Sequence, residues 1–216
     1  MKRRDFSQAA VMATAALAAP GLVQAQAPGQ LVAGRDFQLV DPRAPVDAPV
    51  GKIEVVEFFW YSCPHCNAFE PALEAWLKKL PKDIAFKRVP VAFRDDFVPQ
   101  QRLYYALEAM GLVEKLHAKV FEAIHVQKQR LARAEDIGPW VASQGVNEAK
   151  FMEQYNSFSA TSKARRAVQL QDAYHIEGVP TLGIAGRFFT DGEMGGNMAR
   201  ALQIADALIA EVRAGR

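Results

Sequence analysis

The segment that most constrains this chain is Cys63-Pro64-His65-Cys66, which contains both cysteines of the sequence. It directly follows a nearly continuous apolar run of β-branched and aromatic residues, 52–61, which predicts a strand buried on both faces of a sheet. From Pro64 onward the apolar residues recur at helical spacing, so a helix is expected to begin there. The two thiols are therefore predicted to lie at a strand-to-helix junction.

A disulfide between these two cysteines would be a poor structural cross-link, because the stabilisation grows with the length of the loop that is closed. A C-x-x-C pair of this kind is instead a signature of redox-active thiols. Unpaired N–H groups at the start of the helix favour negative charge, so we expect Cys63 to have a lowered pKa. Cys66, one turn into the helix, is placed to close on Cys63 or to resolve a mixed disulfide.

The two residues between the cysteines are predicted to tune the pair. Pro64 suits the first position of a helix, and His65 can direct a hydrogen bond or positive charge toward the sulfur of Cys63. Stabilising the reduced thiolate makes the protein a stronger oxidant of its partners. Zinc binding is the alternative, but a structural zinc site takes four ligands. Three further histidines show no ligand spacing and are interpreted as ordinary helix residues: His117, His125 and His175.

The first 25 residues have the pattern of a cleaved export signal, with basic residues, an Ala-rich run and a small-x-small end. The Arg3-Arg4 pair fits both a twin-arginine signal and an ordinary basic region, so the export route stays open. This leader holds three of the 26 basic and one of the 24 acidic residues, which leaves 23 of each. A neutral mature chain without a Lys/Arg cluster does not favour nucleic-acid binding. No segment is long enough to cross a bilayer, so a soluble mature protein is expected.

The rest of the chain divides by its hydrophobic spacing. Residues 26–50 are rich in Pro, Ala and Gly and predict an extended lead-in. The first strand, its helix and a second strand at 84–93 form a βαβ unit, which implies parallel pairing. Helical spacing without strand signals then predicts an all-helical insertion, 98–172. Two short apolar runs in 179–192 predict a β-hairpin, and Asn197 is a plausible N-cap of a last helix.

Three features together resemble the DsbA family of exported thiol:disulfide oxidoreductases: the segment EFFWYSCPHC, the helical insertion and the segment GVPTL. The resemblance implies an α/β fold, namely a thioredoxin fold interrupted by a helical domain. It also implies a discontinuous thioredoxin-like domain, 26–97 and 173–216, around the insertion at 98–172. Residues 1–25 are the predicted signal peptide.

The resemblance extends to individual residues near the thiols. Val179-Pro180 matches the family's cis-proline turn, which lies opposite the cysteines and presents backbone groups to a bound substrate strand. Glu57 matches a buried acidic residue beneath the active site that is thought to help move protons during exchange. Arg88, on the neighbouring strand, is a candidate partner of Glu57. Whether Glu57 is catalytic or merely paired stays open.

The aromatic residues before the cysteines have two interpretations. Aromatic side chains in a strand usually belong to the core, but Phe58, Phe59, Trp60 and Tyr61 could also line a peptide groove. Trp60 and Tyr61 are the predicted substrate-binding pair. At least one of them is expected to be partly exposed near Cys63.

The function implied by the resemblance is that of an exported, periplasmic dithiol oxidase. It would transfer its Cys63–Cys66 disulfide to unfolded or newly exported proteins and be reoxidised by a quinone-linked membrane protein of the DsbB type. A monomer without metal or organic cofactor is expected. A reductase of the same fold and a peptide-binding chaperone are the alternatives, while residues 26–50 are too short for the dimerisation domain of an isomerase.

Overall fold

A mixed five-stranded sheet lies at the centre of the part of the chain that the structure describes. The computed structural model describes residues 31–216, so the predicted signal peptide lies outside the described residues. In chain order the strands are Gln38–Leu39 (β1), Ile53–Phe59 (β2), Ile84–Pro90 (β3), Thr181–Ile184 (β4) and Phe188–Asp191 (β5). Their spatial order in the sheet is β1-β5-β4-β2-β3.

Seven α-helices and one 3-10 turn, Asp95–Phe97, accompany the sheet within residues 31–216. Five of these helices lie between β3 and β4, in the predicted insertion. In this described part no helix is long and apolar enough to cross a membrane. The helices are Pro64–Leu77 (α1), Val98–Ala109 (α2), Val113–His125 (α3), Ala134–Ser143 (α4), Glu148–Tyr155 (α5), Phe158–Ala173 (α6) and Met198–Arg213 (α7).

The predicted βαβ unit and β-hairpin are confirmed. β2 and β3, which precede and follow α1 in the chain, pair in parallel. β4 pairs antiparallel with both β2 and β5. The hairpin turns at Ala185 and Gly186, which both have positive φ. A Cβ at Gly186 would collide with the carbonyl oxygen of Ala44, so this position requires glycine. The side chain of Asn197 caps α7 by accepting the N–H of Arg200 at 2.9 Å.

The lead-in contains a strand that its composition does not predict. β1 pairs antiparallel with β5, and the pairing continues beyond it through the N–H groups of Val40 and Ala44. Only two residues of β1 satisfy the strand pattern, and the Pro-rich surroundings give no period-2 signal. The tertiary neighbour β5 therefore determines this strand, not its local propensity.

Two hydrophobic clusters cover the sheet. The first joins β2 residues such as Val56 and Phe58 to the helices of the insertion, including Leu103 and Leu116. The second packs α1 and α7 on the strands around Val55. Residues 31–216 form one compact unit, and the division into a thioredoxin-like domain and a helical domain stays a prediction.

Candidate active site

Cys63 occupies the N-cap position of α1, with Pro64 as the first helical residue, as the sequence predicts. Its own N–H donates to the carbonyl of Trp60 at 3.0 Å and closes the turn between β2 and the helix. The N–H of Cys66 donates to the Cys63 sulfur at 3.4 Å, so an otherwise unpaired helix N–H is directed at this sulfur. Both cysteines are free thiols, and the structure therefore describes the reduced form.

The pKa of the Cys63 thiol is lowered to about 6 by these surroundings. The hydrogen bond from the Cys66 thiol is the largest cause, and partial burial opposes it. The backbone N–H groups of Cys66 and His65 contribute next, and the charge of His65 contributes least. His65 therefore acts on Cys63 mainly through its backbone. At neutral pH the Cys63 sulfur is predominantly a thiolate, which is the nucleophilic form.

Cys66 has the opposite environment, although it lies only one turn away. Its side chain is fully buried, whereas 7% of Cys63 is exposed. Burial raises the pKa of the Cys66 thiol, and the hydrogen bond to Cys63 raises it further. Cys66 therefore stays protonated in the reduced protein, and its S–H group donates a hydrogen bond to the Cys63 sulfur.

A buried charge cluster lies on the inner side of Cys66. Glu57 on β2 is opposite Arg88 in the register of β3, and its Oε2 lies 3.0 Å from Arg88 Nε. The same guanidinium reaches Glu70 Oε2 at 3.4 Å and Glu74 Oε1 at 2.7 Å. The predicted partnership of Glu57 with Arg88 is therefore confirmed, but Arg88 is shared among three carboxylates.

Because one guanidinium is shared among three carboxyl groups, its single positive charge does not compensate all of them. Burial raises the pKa of Glu57 to about 8, and the neighbouring Glu70 adds to the effect against the opposing charge of Arg88. Burial lowers the pKa of Arg88, but Glu57 and Glu70 outweigh it, so the guanidinium stays charged. Glu57 consequently carries a proton at neutral pH. A buried carboxyl that can hold or release one proton near Cys66 is suited to proton transfer.

The turn before β4 closes the other side of the site. The Val179-Pro180 peptide bond is cis, as the resemblance implies, and the Cys63 thiol donates to the Val179 carbonyl at 3.4 Å. A cavity of about 460 Å³ opens beside this contact. Val179, Pro180 and His65 line it together with Thr181 and Met198. The cis-proline turn and the histidine of the cysteine segment therefore share one surface depression.

The two predicted aromatic substrate contacts have different positions. Trp60 is partly exposed and stacks on Phe97, with the ring centroids 3.8 Å apart. Tyr61 is only 1% exposed, so its side chain cannot line a surface groove and that prediction is wrong. Strand β2 ends at Phe59, and the chain then turns, so the period-2 alternation of a strand does not apply to Tyr61.

Two of the histidines that the sequence predicts to be ordinary helix residues contact the active-site turn. His117 Nδ1 lies 2.8 Å from the Tyr61 hydroxyl, and His125 Nε2 lies 2.8 Å from the Tyr61 carbonyl oxygen. The available signal was the position of His117 beside Leu116 on the apolar face of an amphipathic segment. Among residues 31–216, no group of three or more His, Cys, Asp or Glu side chains could hold a metal ion.

The fold and the site together define a thioredoxin-like protein whose cysteine pair begins a helix opposite a cis-proline turn. A sequence model of the DSBA-like thioredoxin domain matches residues 77–203. The thiol:disulfide interchange protein DsbA of Burkholderia cepacia is 45% identical over 195 residues, which are 90% of this chain and 92% of that protein. DsbA of Azotobacter vinelandii is 38% identical over 97% of this chain and 98% of its own length.

Solved structures agree with the sequence comparisons. The crystal structure of Pseudomonas aeruginosa DsbA has a TM-score of 0.82 and 39% identity, and covers 86% of this chain and 96% of that one. The oxidoreductase NmDsbA1 of Neisseria meningitidis has a TM-score of 0.75 and 26% identity over 86% of this chain and 95% of its own. The chain belongs to the DSBA-like thioredoxin family, and it is a thiol:disulfide oxidoreductase.

Proposed function

We propose that the protein is a periplasmic dithiol oxidase that transfers a Cys63–Cys66 disulfide to unfolded or newly exported proteins. The contrast between the two thiols carries the proposal. Cys63 has a pKa of about 6 and contacts Val179, which lines a surface cavity, whereas Cys66 is fully buried and its pKa is raised. Stabilising the Cys63 thiolate favours the reduced form, so the disulfide form is a strong oxidant.

The reaction begins with attack on the Cys63 sulfur by a substrate thiolate. A substrate–Cys63 disulfide forms, the Cys63–Cys66 bond breaks, and Cys66 leaves with the bonding electrons and takes up a proton. A second substrate thiolate then attacks the substrate sulfur of the mixed disulfide, and Cys63 leaves as a thiolate. Two electrons pass from the substrate dithiol to the enzyme, which ends as the dithiol.

Glu57 is proposed to supply the proton that Cys66 takes up. Its ionised form would raise the pKa of the Cys66 thiol, and its own pKa of about 8 keeps it mostly protonated at pH 7, so a proton is available for Cys66. Reoxidation reverses the transfer, because Cys66 must then lose its proton. The Glu57 carboxyl can receive that proton during reoxidation only after it has released its own to solvent, so each cycle includes one proton exchange with solvent.

The cavity beside Val179 and Pro180 is proposed to bind an extended substrate segment. The Val179 carbonyl faces the reactive sulfur at 3.4 Å, so a substrate backbone seated there lies within reach of Cys63. Trp60, partly exposed three residues before Cys63, is also proposed to contact the substrate. The required reoxidant is a quinone-linked membrane protein of the DsbB type, and the enzyme acts as a monomer without metal or organic cofactor.

The redox equilibrium with glutathione tests this proposal. The purified mature protein is equilibrated in glutathione buffers, its thiols are trapped, and the pKa of Cys63 is taken from thiolate absorbance. We expect a pair far more oxidising than glutathione and a Cys63 pKa near 6. A strongly reducing pair with an ordinary thiol would instead identify a reductase. A Cys63→Ser protein that still suppresses aggregation as well as the wild type would identify a peptide-binding chaperone.

A further inference from the structure

One face of α3 contacts the residue that leads into the active-site turn. Three side chains of this face, His117, Phe121 and His125, are four residues apart and form what is called here the α3 stripe. The Phe121 ring packs against the Tyr61 ring at 5.1 Å and lies between the two imidazoles, 5.3 Å from His117 and 6.0 Å from His125. Tyr61 therefore lies along two turns of a helix that belongs to the insertion.

The stripe holds Tyr61 at two separate points. His125 Nε2 is 2.8 Å from the Tyr61 carbonyl oxygen, and since a carbonyl can only accept, Nε2 must carry the proton. His117 Nδ1 is 2.8 Å from the Tyr61 hydroxyl. Both the backbone and the side chain of Tyr61 are thus fixed by α3, two residues before Cys63.

The protonation of His117 is consistent with this role. Its Nε2 faces Glu70 Oε1 at 3.4 Å, and burial lowers the pKa of the imidazole, against the charge of Glu70. A neutral ring with its proton on Nε2 directs that proton toward Glu70 and leaves Nδ1 to accept from the Tyr61 hydroxyl. A neutral His117 can therefore accept from Tyr61 and direct its proton toward Glu70 at the same time.

A third side chain of the insertion holds the next residue of the turn. Gln100, on α2, donates through Nε2 to the Ser62 hydroxyl at 2.7 Å and to the Leu131 carbonyl at 3.0 Å. Gln100 is only 3% exposed. Tyr61 and Ser62, the two residues before Cys63, are both hydrogen-bonded to helices of the insertion.

We propose that His125 and His117 are positioning residues for the redox reaction, which set the place of the Cys63 sulfur by holding Tyr61. The Cys63 sulfur receives the Cys66 N–H and faces the Val179 carbonyl, both at 3.4 Å. Both contacts depend on the position of Cys63 at the end of the turn. The α3 stripe fixes Tyr61 at the beginning of the same turn, two residues earlier. The inference rests on the proposed function, because it concerns the reactivity of Cys63.

Variants at His125 provide the main test. His125→Leu removes the Nε2 donor, whereas His125→Gln places an amide N–H near the same position. His125 is not fully buried, so both proteins are expected to fold. Lys119→Gln, on the exposed side of α3, is the matched control. The readouts are the Cys63 pKa from thiolate absorbance, the equilibrium constant with glutathione and the melting temperature.

We expect His125→Leu to raise the Cys63 pKa and to shift the equilibrium toward the disulfide by about fivefold, the effect of one hydrogen bond. The reduced form loses more stabilisation than the disulfide form, because only the thiolate depends on the N–H groups directed at the sulfur. His125→Gln should restore most of the wild-type value, and Lys119→Gln should match the wild type. Tyr61→Phe, which removes only the hydroxyl held by His117, should shift the equilibrium in the same direction by less.

A lower melting temperature of His125→Leu with an unchanged Cys63 pKa and equilibrium constant would show a merely structural role and overturn the inference. The inference would also be overturned if His125→Gln folds normally but does not restore the wild-type Cys63 pKa and equilibrium constant. A reducing wild-type pair would contradict the proposed oxidase function instead. The difference between His125→Leu and wild type would still decide whether His125 positions Cys63.

Discussion

The surroundings of Cys63 and of Cys66 differ more than a separation of three residues suggests. Cys63 meets the thiol of Cys66 and three backbone groups: the N–H of Cys66, the N–H of His65 and the carbonyl of Val179. Cys66 meets the protein interior and lies close to the charge cluster around Glu57. Backbone dipoles are fixed by the fold, whereas the protonation of carboxyl groups changes with pH.

This difference separates two tasks of thiol–disulfide exchange. The reactivity of the outer sulfur depends on the geometry of the turn and of the helix N-terminus. The fate of the inner sulfur depends on where its proton comes from and where it goes. The reactivity of Cys63 is expected to be nearly independent of pH above about 7. The proton transfer at Cys66 is expected to depend on pH through Glu57.

The largest effect is expected from replacing the cysteines one at a time. Cys63→Ser should lose all exchange, since no accessible sulfur remains. Cys66→Ser should still form a mixed disulfide through Cys63, which then persists because the resolving thiol is missing. Mass spectrometry of each protein after incubation with oxidised glutathione distinguishes the two outcomes. Equal adduct formation by both variants would mean that the two sulfurs are not divided into outer and inner roles.

Removing the shared cation of the charge cluster should have the next largest effect. Arg88→Met leaves three carboxyl groups without their common partner, and breaking a buried ion pair in this way costs about 3–5 kcal/mol. The loss should be smaller at pH 5 than at pH 8, because Glu57 is protonated at pH 5 and then has no ion pair with Arg88 to lose. Chemical denaturation at both pH values measures it.

Arg88→Lys is the control for this experiment, because it keeps the positive charge but not the forked geometry that reaches several carboxylates. It should retain most of the stability that Arg88→Met loses. A loss for Arg88→Met that is the same at pH 5 and pH 8 would show that the carboxyl groups do not take up protons.

The reactivity of Cys63 should follow its lowered pKa. Alkylation of the reduced protein by iodoacetamide should rise through a midpoint near pH 6 and be level above it, whereas an ordinary thiol continues to rise to about pH 8.5. Cys66 is buried and should not react in the folded protein. Cys66→Ala removes the hydrogen bond that is the largest cause of the low pKa, so it should move the midpoint upward. An unchanged midpoint would assign the effect to the helix N-terminus alone.

The smallest expected effect is the dependence of stability on the protonation of Glu57. Its pKa of about 8 in the folded protein lies above the ordinary value of 4.5, so the folded state binds more protons between these pH values. The free energy of unfolding should therefore fall as the pH rises from about 5 to about 8. Glu57→Gln should remove about 1–3 kcal/mol of this fall.

Glu74→Gln is the matched control, since Glu74 contacts the same guanidinium but is half exposed. It should leave the pH dependence nearly unchanged. The lowered pKa of Cys63 works in the opposite direction, because its thiolate stabilises the reduced protein more as the pH rises from about 6 to about 9. The difference between each variant and the wild type separates the two contributions.

Much of the site followed from local signals in the sequence. The start of α1 at Pro64 is determined by the N-cap position of Cys63 and by helical spacing, which are properties of neighbouring residues. The pairing of Glu57 with Arg88 followed from their places on two predicted neighbouring strands, and the register of β2 and β3 puts the two residues opposite each other. The cis form of the Val179-Pro180 bond followed only from the resemblance, because the residues themselves favour trans.

The contacts between the insertion and the active-site turn could not be predicted in the same way. His117 and His125 contact Tyr61 across 56 and 64 residues, and no local pattern indicates which face of α3 meets that turn. The sequence does not distinguish a groove position from a core position for Tyr61, because aromatic residues beside a reactive cysteine occur in both. Its burial depends on the position of α3, which is a tertiary property.

The contact between the Cys63 thiol and the Val179 carbonyl exists only while the sulfur carries a proton. Above a pH of about 6 the sulfur is mostly a thiolate and has nothing to donate, so the carbonyl oxygen loses this donor. A carbonyl near the surface without a donor is ready to accept an N–H from an extended peptide. The Cys63 sulfur carries no proton in the disulfide form either, so the carbonyl is also a vacant acceptor beside the sulfur that a substrate thiolate attacks. Loss of one proton therefore prepares the Val179 carbonyl for a peptide in the form of the protein that reacts with it.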